Sequence, residues 1–404
     1  MKIGVVGLGY VGLVTAAVLA NHDNEVIGID VSTERVNKLN SNNLPIFEPE
    51  LGNRIESAGS RLKFSTVYSD LAECSGVFIC VPTPNNEAGI DLSFVVAASK
   101  EVSKVVPKSE LIIKSTVTPG TARHISNLTG MNVTSNPEFT REGSAVYDTE
   151  HPDRIVVGGN DPQVCKDVWK FTNAPTIITT NENAELIKYA SNAFLATKIT
   201  FINQMADLCE KIPGADVKIV AHGIGLDHRI GKEFLKPGLG YGGSCFPKDT
   251  IALNSYANSK DVKLDIIDSV IRYNSDRINQ LVEKIIRLAG DLNDRNICVL
   301  GLSFKDNTDD LRESRSIALI ENLSKRGAKI FAYDPIVKQY PGIVQCNSSE
   351  ECIMKCSIVI TATEWEEFRS IDPVLFKDKM VFDLRRILSI KPDDITMGVG
   401  IGKD

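Results

Sequence analysis

Residues 2–30 read "KIGVVGLGYVGLVTAAVLANHDNEVIGID". "KIGVV" is short, apolar and β-branched, as a buried strand requires. "YVGLVTAAVLANHD" has the content of a helix packed on a sheet, and "NEVIGID" reads as a second strand. Together they predict a β-α-β unit. The turn after the first strand, Gly7-Leu8-Gly9-Tyr10-Val11-Gly12, has the pattern GxGxxG. The first glycine permits a tight turn, the second lets a pyrophosphate approach the backbone, and the third lets helix and strand pack closely. The helix that opens at Tyr10 and Val11 offers free N–H groups to those phosphates. Asp30 closes the second strand 18 residues after Gly12. A carboxylate there suits ribose hydroxyls and repels a 2′-phosphate, so NAD is expected over NADP, with Arg35 softening the preference slightly.

Outward from this unit the alternation continues. "GVFICV", "ELIIKS", "MNVTS" and "RIVVGG" are further strand candidates with helical stretches between them, which predicts a parallel, doubly wound sheet over residues 1–180. The texture then changes. "NAELIKYASNAFLATKITFINQMADLCEKI" carries a helical pattern with Asn183 as a cap and "PG" at 213–214 as a stop, and helical sequence runs on to residue 290. At "RNICVLGLSF" the α/β texture returns over 291–404 as an internal echo. "CSIVITATEWE" (356–366) parallels "CSGVFICVPTP" (74–84), and "KIFAYDP" parallels "EVIGIDV". The echo replaces "GLGYVG" with "GLSFKDN", so only the first lobe keeps a dinucleotide fingerprint. The expected architecture is α/β, two Rossmann-like doubly wound parallel-sheet domains joined by a long central helix and a helical connector domain.

Bulk composition narrows the classes. The chain has 404 residues and a net charge of −7, which disfavours a nucleic-acid binder relying on a global basic field. The apolar amino-terminal stretch alternates strand and helix and turns polar at "NHDNE", so it reads as neither a signal peptide nor a membrane span. Nine cysteines without CxxC spacing imply a reducing cytoplasm rather than a disulfide framework. The five histidines form no metal-ligand spacing, and no metal is expected.

One thiol stands apart. "GYGGSCFPKD" (240–249) puts Cys245 just ahead of a helix whose first turn holds Pro247. The helix dipole and Lys248 favour a thiolate there, and Gly242 and Gly243 let a substrate come close. Lys188 and Asn192, four apart, share one face of the long helix. Leu186, Ile187, Tyr189, Ala190 and Ala193 around them are apolar, which predicts a mostly buried segment and a desolvated lysine fit for acid–base work. "NPEFTREG" (136–143) supplies Glu138 and Glu142 beyond a strand's carboxyl end, where doubly wound sheets bind ligands. Oxidising an alcohol with NAD needs a base but no nucleophile. A thiol beside NAD makes sense if an aldehyde is held as a thiohemiacetal, oxidised to a thioester and hydrolysed to an acid.

"GYGGSCFPKD", "VGLGYVGL", "PIFEPEL", "NPEFTREG", "IKYASNAF" and "GLSFKDNTDDLRES" together resemble the UDP-sugar dehydrogenases of the UDP-glucose/GDP-mannose dehydrogenase family, over nearly the whole chain and in the same order. The resemblance implies four-electron oxidation of a sugar nucleotide's C6 alcohol to the carboxylate with two NAD⁺, UDP-glucose being the first expectation. It also implies a homodimer, or an assembly of dimers, built across the central helix. By motif, Cys245 would be the nucleophile, and Lys188 and Asn192 would stabilise oxyanions. Asp249 would order water or serve as a base with Lys188, Glu138 would act as acid–base in thioester hydrolysis, and Thr116 would help through water. Glu138, Lys188 and Asn192 would also touch the sugar. The resemblance adds Thr83, Thr116, Glu142 and Arg312 to the cofactor set. On the sugar-nucleotide side it implies Arg229 (given to the neighbouring subunit's site), Phe234, Lys236, Gly242, Lys305 and Arg385. Two positions depart from the family pattern: Thr140 stands where leucine is common, which bears on packing near Glu138, and "VPTP" at 81–84 replaces "VGTP".

Three other readings compete. GDP-mannose or an N-acetylated UDP-sugar could undergo the same chemistry. A two-electron β-hydroxyacid dehydrogenase would also pair Lys and Asn on a long helix, but it needs neither the cysteine loop nor a second α/β lobe. A non-catalytic NAD-binding sensor would have no use for Cys245, Lys188, Asn192 and Asp249 together.

Overall fold

The computed structural model describes residues 1–86, 89–391 and 394–402. The chain divides into two compact units, Met1–Ser191 and Asn192–Asp404.

In the first unit β1 (Lys2–Val6) pairs in parallel with both β2 (Glu25–Ile29) and β4 (Gly76–Ile79), and β3 (Leu62–Ser65) extends the β2 edge. A short antiparallel pair, β5 (Asn85–Asn86) with β6 (Gly89–Ile90), lies apart from this sheet. On the other side follow β7 (Glu110–Ile113), β8 (Val133–Ser135), β9 (Ile155–Gly158) and β10 (Thr176–Thr179), giving the order β10-β9-β8-β7-β4-β1-β2-β3. The sheet is parallel from β3 to β8, as expected. It then reverses: β8 and β9 are antiparallel, and β10 runs with β9. The connection from β8 to β9 holds only the six-residue helix Ala145–Glu150, so the chain turns back at the edge. β3 and β10 went unread in the sequence. β3 is mostly half-buried or exposed and β10 wholly so, so neither shows the continuous apolar run of a central strand.

Helix Tyr10–Asn21 covers β1 and is buried from Gly12 through Ala20. It carries no polar stripe because helices Leu51–Ala58 and Ala145–Glu150 also pack on it.

The second unit holds helices Val217–Gly225, Phe246–Asn258 and Asp265–Ala289, then a second sheet. Its strands are β11 (Asn296–Leu300), β12 (Lys329–Tyr333), β13 (Val344–Gln345), β14 (Ile358–Thr361), β15 (Met380–Asp383) and β16 (Met397–Gly398). They lie in the order β13-β12-β11-β14-β15-β16, all parallel. β11 sits between β12 and β14 as β1 sits between β2 and β4, so the echo in the sequence is an echo of topology.

The long helix spans Asn181–Cys209. It starts two residues before the expected cap: the Thr180 hydroxyl accepts the Asn183 N–H, so Thr180 caps and Asn183 lies inside the first turn. Its apolar neighbours are not uniformly buried either. Ala184, Glu185, Lys188, Tyr189 and Asn192 face inward, whereas Leu186, Phe194, Phe201 and Leu208 are exposed. Among the described residues no helix is long and apolar enough to cross a membrane, and no group of three His, Cys, Asp or Glu could hold a metal ion.

Candidate active site

The glycine turn of the first unit is shaped for a dinucleotide. Gly7 has φ +92°, and a Cβ there would stand 2.8 Å from the Cys80 carbonyl oxygen. A Cβ on Gly12 would stand 1.8 Å from the Gly7 carbonyl oxygen, so the helix can start only where that residue is glycine. Around a Cβ built on Gly9 nothing lies within 4 Å. That is the open face a pyrophosphate needs, and Gly9 caps the helix that Tyr10 and Val11 begin. Asp30 is buried. Its Oδ2 accepts from the Leu8 N–H at 2.8 Å and from Arg35 at 3.0 Å, and Oδ1 accepts from the Ser32 N–H. The residues therefore fit NAD: an open backbone at a helix start and an acidic group at the end of β2. Thr83 is buried beyond β4, and Thr116 is half-buried beyond β7.

Glu138 follows β8 and is 7% exposed. Its Oε1 accepts from Lys188 Nζ at 2.8 Å, and Lys188 is itself 3% exposed. Burial pushes the Glu138 carboxyl up, but Lys188 and the amide and hydroxyl of Thr140 outweigh it and hold the group at about 2. Lys188 is as buried as its neighbours implied, with a carboxylate as partner. Glu142 is half-buried in the same loop.

Three carboxyl groups of this unit went unnoticed or unused in the sequence. Buried Glu48, in "PIFEPEL", accepts from the Gly143 and Ala145 N–H groups, and the Tyr10 hydroxyl also accepts from Gly143, so the fingerprint loop and the Glu142 loop share a node. Buried Glu185 accepts from the Gly120 and Ala122 N–H groups and from Ser135, and burial lifts its carboxyl to about 7. Glu185 lines a small cavity with Thr116, Pro137 and Lys188. It lies one turn before Lys188 on the same helix face, a spacing that could have flagged it. Glu110 accepts from Thr134, Val164 and Cys165 and ties the sheet to helix Gln163–Val168.

In the second unit Cys245 occupies the N-cap position of helix Phe246–Asn258, with Pro247 in the first turn. The other eight cysteines are buried, and Cys245 is half-exposed. Burial raises Cys74 to about 11 and Cys80, Cys346 and Cys356 to about 12, so these thiols are inert at neutral pH. Behind Cys245 stands Asp249, 1% exposed, whose Oδ2 accepts from Asn192 at 2.6 Å and whose Oδ1 accepts from Lys248 at 2.7 Å. The preceding loop is held from outside. The Asn274 side chain accepts the Tyr241 N–H and donates to the Tyr241 carbonyl, while Arg315 reaches the Leu239 carbonyl. A Cβ on Gly242 would stand 2.2 Å from the Glu313 carbonyl oxygen. No motif in the sequence announced Asn274.

The basic set expected to hold a sugar nucleotide is present in this unit, two of its members paired with carboxylates. Lys236 pairs with Glu364 at 3.0 Å and Arg229 with Asp227. The Arg385 Nε donates to the Ala362 carbonyl at 2.8 Å. Lys305 lies over the Phe304 ring, and Phe234, with φ +62°, lies against Phe246. Arg312, expected on the cofactor side, belongs to this unit and pairs with Asp310.

Comparison with known proteins agrees along the chain. Residues 1–171 match the NAD binding domain of the UDP-glucose/GDP-mannose dehydrogenase family, 182–276 its central domain, and 298–390 its UDP binding domain. A UDP-glucose 6-dehydrogenase of Rickettsia typhi is 43% identical over 96% of each chain. The solved structure of a UDP-glucose dehydrogenase from Pyrobaculum islandicum superposes with a TM-score of 0.93 at 35% identity, covering 100% of this chain and 98% of that one. A UDP-D-ManNAc dehydrogenase from Pyrococcus horikoshii gives a TM-score of 0.90 at 28% identity, covering 100% of both.

Proposed function

This chain belongs to the UDP-glucose/GDP-mannose dehydrogenase family, an NAD-dependent oxidoreductase family, and from that premise we propose that it oxidises the C6 alcohol of UDP-glucose to the carboxylate. Alcohol, water and two NAD⁺ give carboxylate, two NADH and three protons. The observation that carries this reading is the accessibility of one thiol in nine: Cys245 alone is half-exposed, at a helix start, backed by Asp249, Asn192 and Lys248. Bound NAD⁺ supplies the acceptor for a hydride at each of the two oxidation levels.

The residues divide the remaining work. Cys245 adds to the C6 aldehyde to give a thiohemiacetal, which the second oxidation converts to a thioester. Lys188 and Asn192 stabilise the oxyanions formed on the way, and Asp249 takes the alcohol proton with Lys188 or orders the water. Glu138, helped through water by Thr116, accepts a proton from the water that cleaves the thioester. Gly7, Gly9, Gly12, Asp30, Arg35, Thr83, Thr116, Glu142 and Arg312 serve the cofactor. Arg229, Phe234, Lys236, Gly242, Lys305 and Arg385 serve the sugar nucleotide. Residues 1–180, 181–290 and 291–404 act as cofactor domain, helical connector and UDP-sugar domain.

The exposed residues Leu186, Phe194, Phe201 and Leu208 recur at intervals of seven or eight along the long helix, and such an apolar stripe supports a homodimer across it. A full set of reduced cysteines supports a cytoplasmic site of action.

The purified protein should form two NADH per UDP-glucose without free aldehyde, and outpace its own rate on GDP-mannose and N-acetylated UDP-sugars. One NADH per sugar would remove the thioester from the scheme. Cys245→Ser should bind both ligands and lose at least about a thousandfold in acid formation. Full activity in that variant rules the thiol out as nucleophile.

A further inference from the structure

Glu138 has its two oxygens bound by different parts of the first unit. Oε1 accepts from Lys188 Nζ at 2.8 Å. Oε2 accepts twice from Thr140, from its N–H at 2.7 Å and from its hydroxyl at 2.8 Å. A carboxylate oxygen has about two lone pairs to offer, so Thr140 fills Oε2. Among the described residues Oε1 accepts from Lys188 alone, which leaves its second lone pair for an incoming proton.

The groups that face this carboxylate are cationic or neutral. Lys188 comes from the long helix, Lys114 from the end of β7, and Cys80, held neutral by burial, from the end of β4. Arg154 stacks at 3.7 Å on the ring of Phe139, between Glu138 and Thr140. The two lysines bias the carboxyl towards its ionised form but reach it from the sides of other elements. Thr140, two residues on in the same loop, decides which oxygen is saturated.

We propose that Thr140 is a positioning residue for Glu138: by saturating Oε2 with its amide and hydroxyl it makes Oε1, beside Lys188, the atom that takes the proton in thioester cleavage. The inference rests on the reading of Glu138 as the acid–base group. In that step the water oxygen bonds to the acyl carbon and the carbon–sulfur bond breaks, leaving Cys245 as thiolate. One water proton passes to Oε1, and the other is lost when the product acid ionises. If Oε2 also had an empty lone pair, the carboxylate could take the proton on the wrong oxygen or rotate away from the attacking water.

The test uses the full-length protein with UDP-glucose and NAD⁺. Thr140→Val keeps the shape and the amide but removes the hydroxyl, and Thr140→Ser restores a hydroxyl. Steady-state turnover of Thr140→Val should fall about tenfold, with KM for both ligands within about twofold, because a misplaced acceptor costs rate rather than binding. Rapid mixing should show a burst of two NADH per active site followed by slow turnover, with a covalent acyl-enzyme detectable by mass spectrometry. Thr140→Ser should abolish burst and slowing together. An unchanged rate in Thr140→Val, or a slow rate without a burst, overturns the inference. Failure of the unmodified protein to form two NADH per UDP-glucose overturns the functional reading on which it rests.

Discussion

The two parallel sheets begin in the same way and then part. In the first, Gly7 follows β1 with φ +92°, its N–H donates to the Ile29 carbonyl, and the Leu8 N–H donates to Asp30. In the second, Gly301 follows β11 with φ +98°, its N–H donates to the Tyr333 carbonyl, and the Leu302 N–H donates to Asp334. A leading glycine and a strand-end aspartate are thus scaffold, needed wherever the chain leaves the central strand for its neighbour's edge. What differs comes next. Gly9 opens a helix at once, whereas Ser303 begins a loop that reaches helix Arg315–Lys325 only after Ser314. One lobe presents bare N–H groups, and the other presents Lys305 and Arg312 on a long arm. The aspartates differ as well. Asp30 bonds outward to Arg35, while Asp334 is turned inward to Leu302, Ser303, Ile336, Val337 and the Trp365 ring N–H. An acidic residue after the second strand therefore signals a ribose partner only where a glycine turn accompanies it.

The sharpest way to separate the lobes is Gly12→Val. The new side chain meets the Gly7 carbonyl, so the turn must open. NAD affinity should fall more than about a hundredfold by calorimetry, while UDP binding changes by less than about twofold. Loss of both together would break the division of labour.

The paired substitutions Asp30→Ala and Asp334→Ala come next. Removing Asp334 strands several buried donors, and chemical denaturation should show a loss of about 3–4 kcal/mol. Removing Asp30 should cost about 1–2 kcal/mol of stability and, by kinetics with both cofactors, erode the preference for NAD over NADP. Equal stability losses with unchanged cofactor preference would make the two aspartates interchangeable scaffold.

The last test is in pH. Glu185 has a folded value of about 7, above its unfolded value. Between the two the unfolded chain ionises while the folded chain stays protonated, so the unit should lose stability as pH rises from about 4.5 to 7, by at most roughly 3 kcal/mol. Glu138, held at about 2, has its stabilisation fully present above its unfolded value and leaves that window flat. Glu185→Gln should remove most of the slope in urea melts at pH 5 and pH 8. Burial also pushes up Glu110 in the same unit and Asp306 in the second lobe and pushes His22 down, so any remaining slope is shared among these groups. An undiminished slope would clear Glu185.

Much of the candidate site could be read from one dimension because its chemistry is local. A GxGxxG turn, a cysteine one residue before a helix and a lysine–asparagine pair at helical spacing each depend on neighbours within a few positions. The central strands were equally readable, being buried on both faces. The edge strands β3 and β10 were not, because they are partly solvated. The reversal at β9 was hidden because strand direction is a property of pairing, not of composition.

The sequence by itself determined two related α/β lobes, a single dinucleotide turn and a cysteine placed at a helix start. Only the tertiary structure decided which face of the long helix carries its polar residues inward. Only it showed that Thr140 and Lys188 hold opposite oxygens of Glu138, and that Asn274 braces the cysteine loop. The Asn274 and Lys188 contacts join residues 33 and 50 positions apart. Their partners are chosen by burial, since a polar group removed from water must find whichever complement the packed chain brings to it.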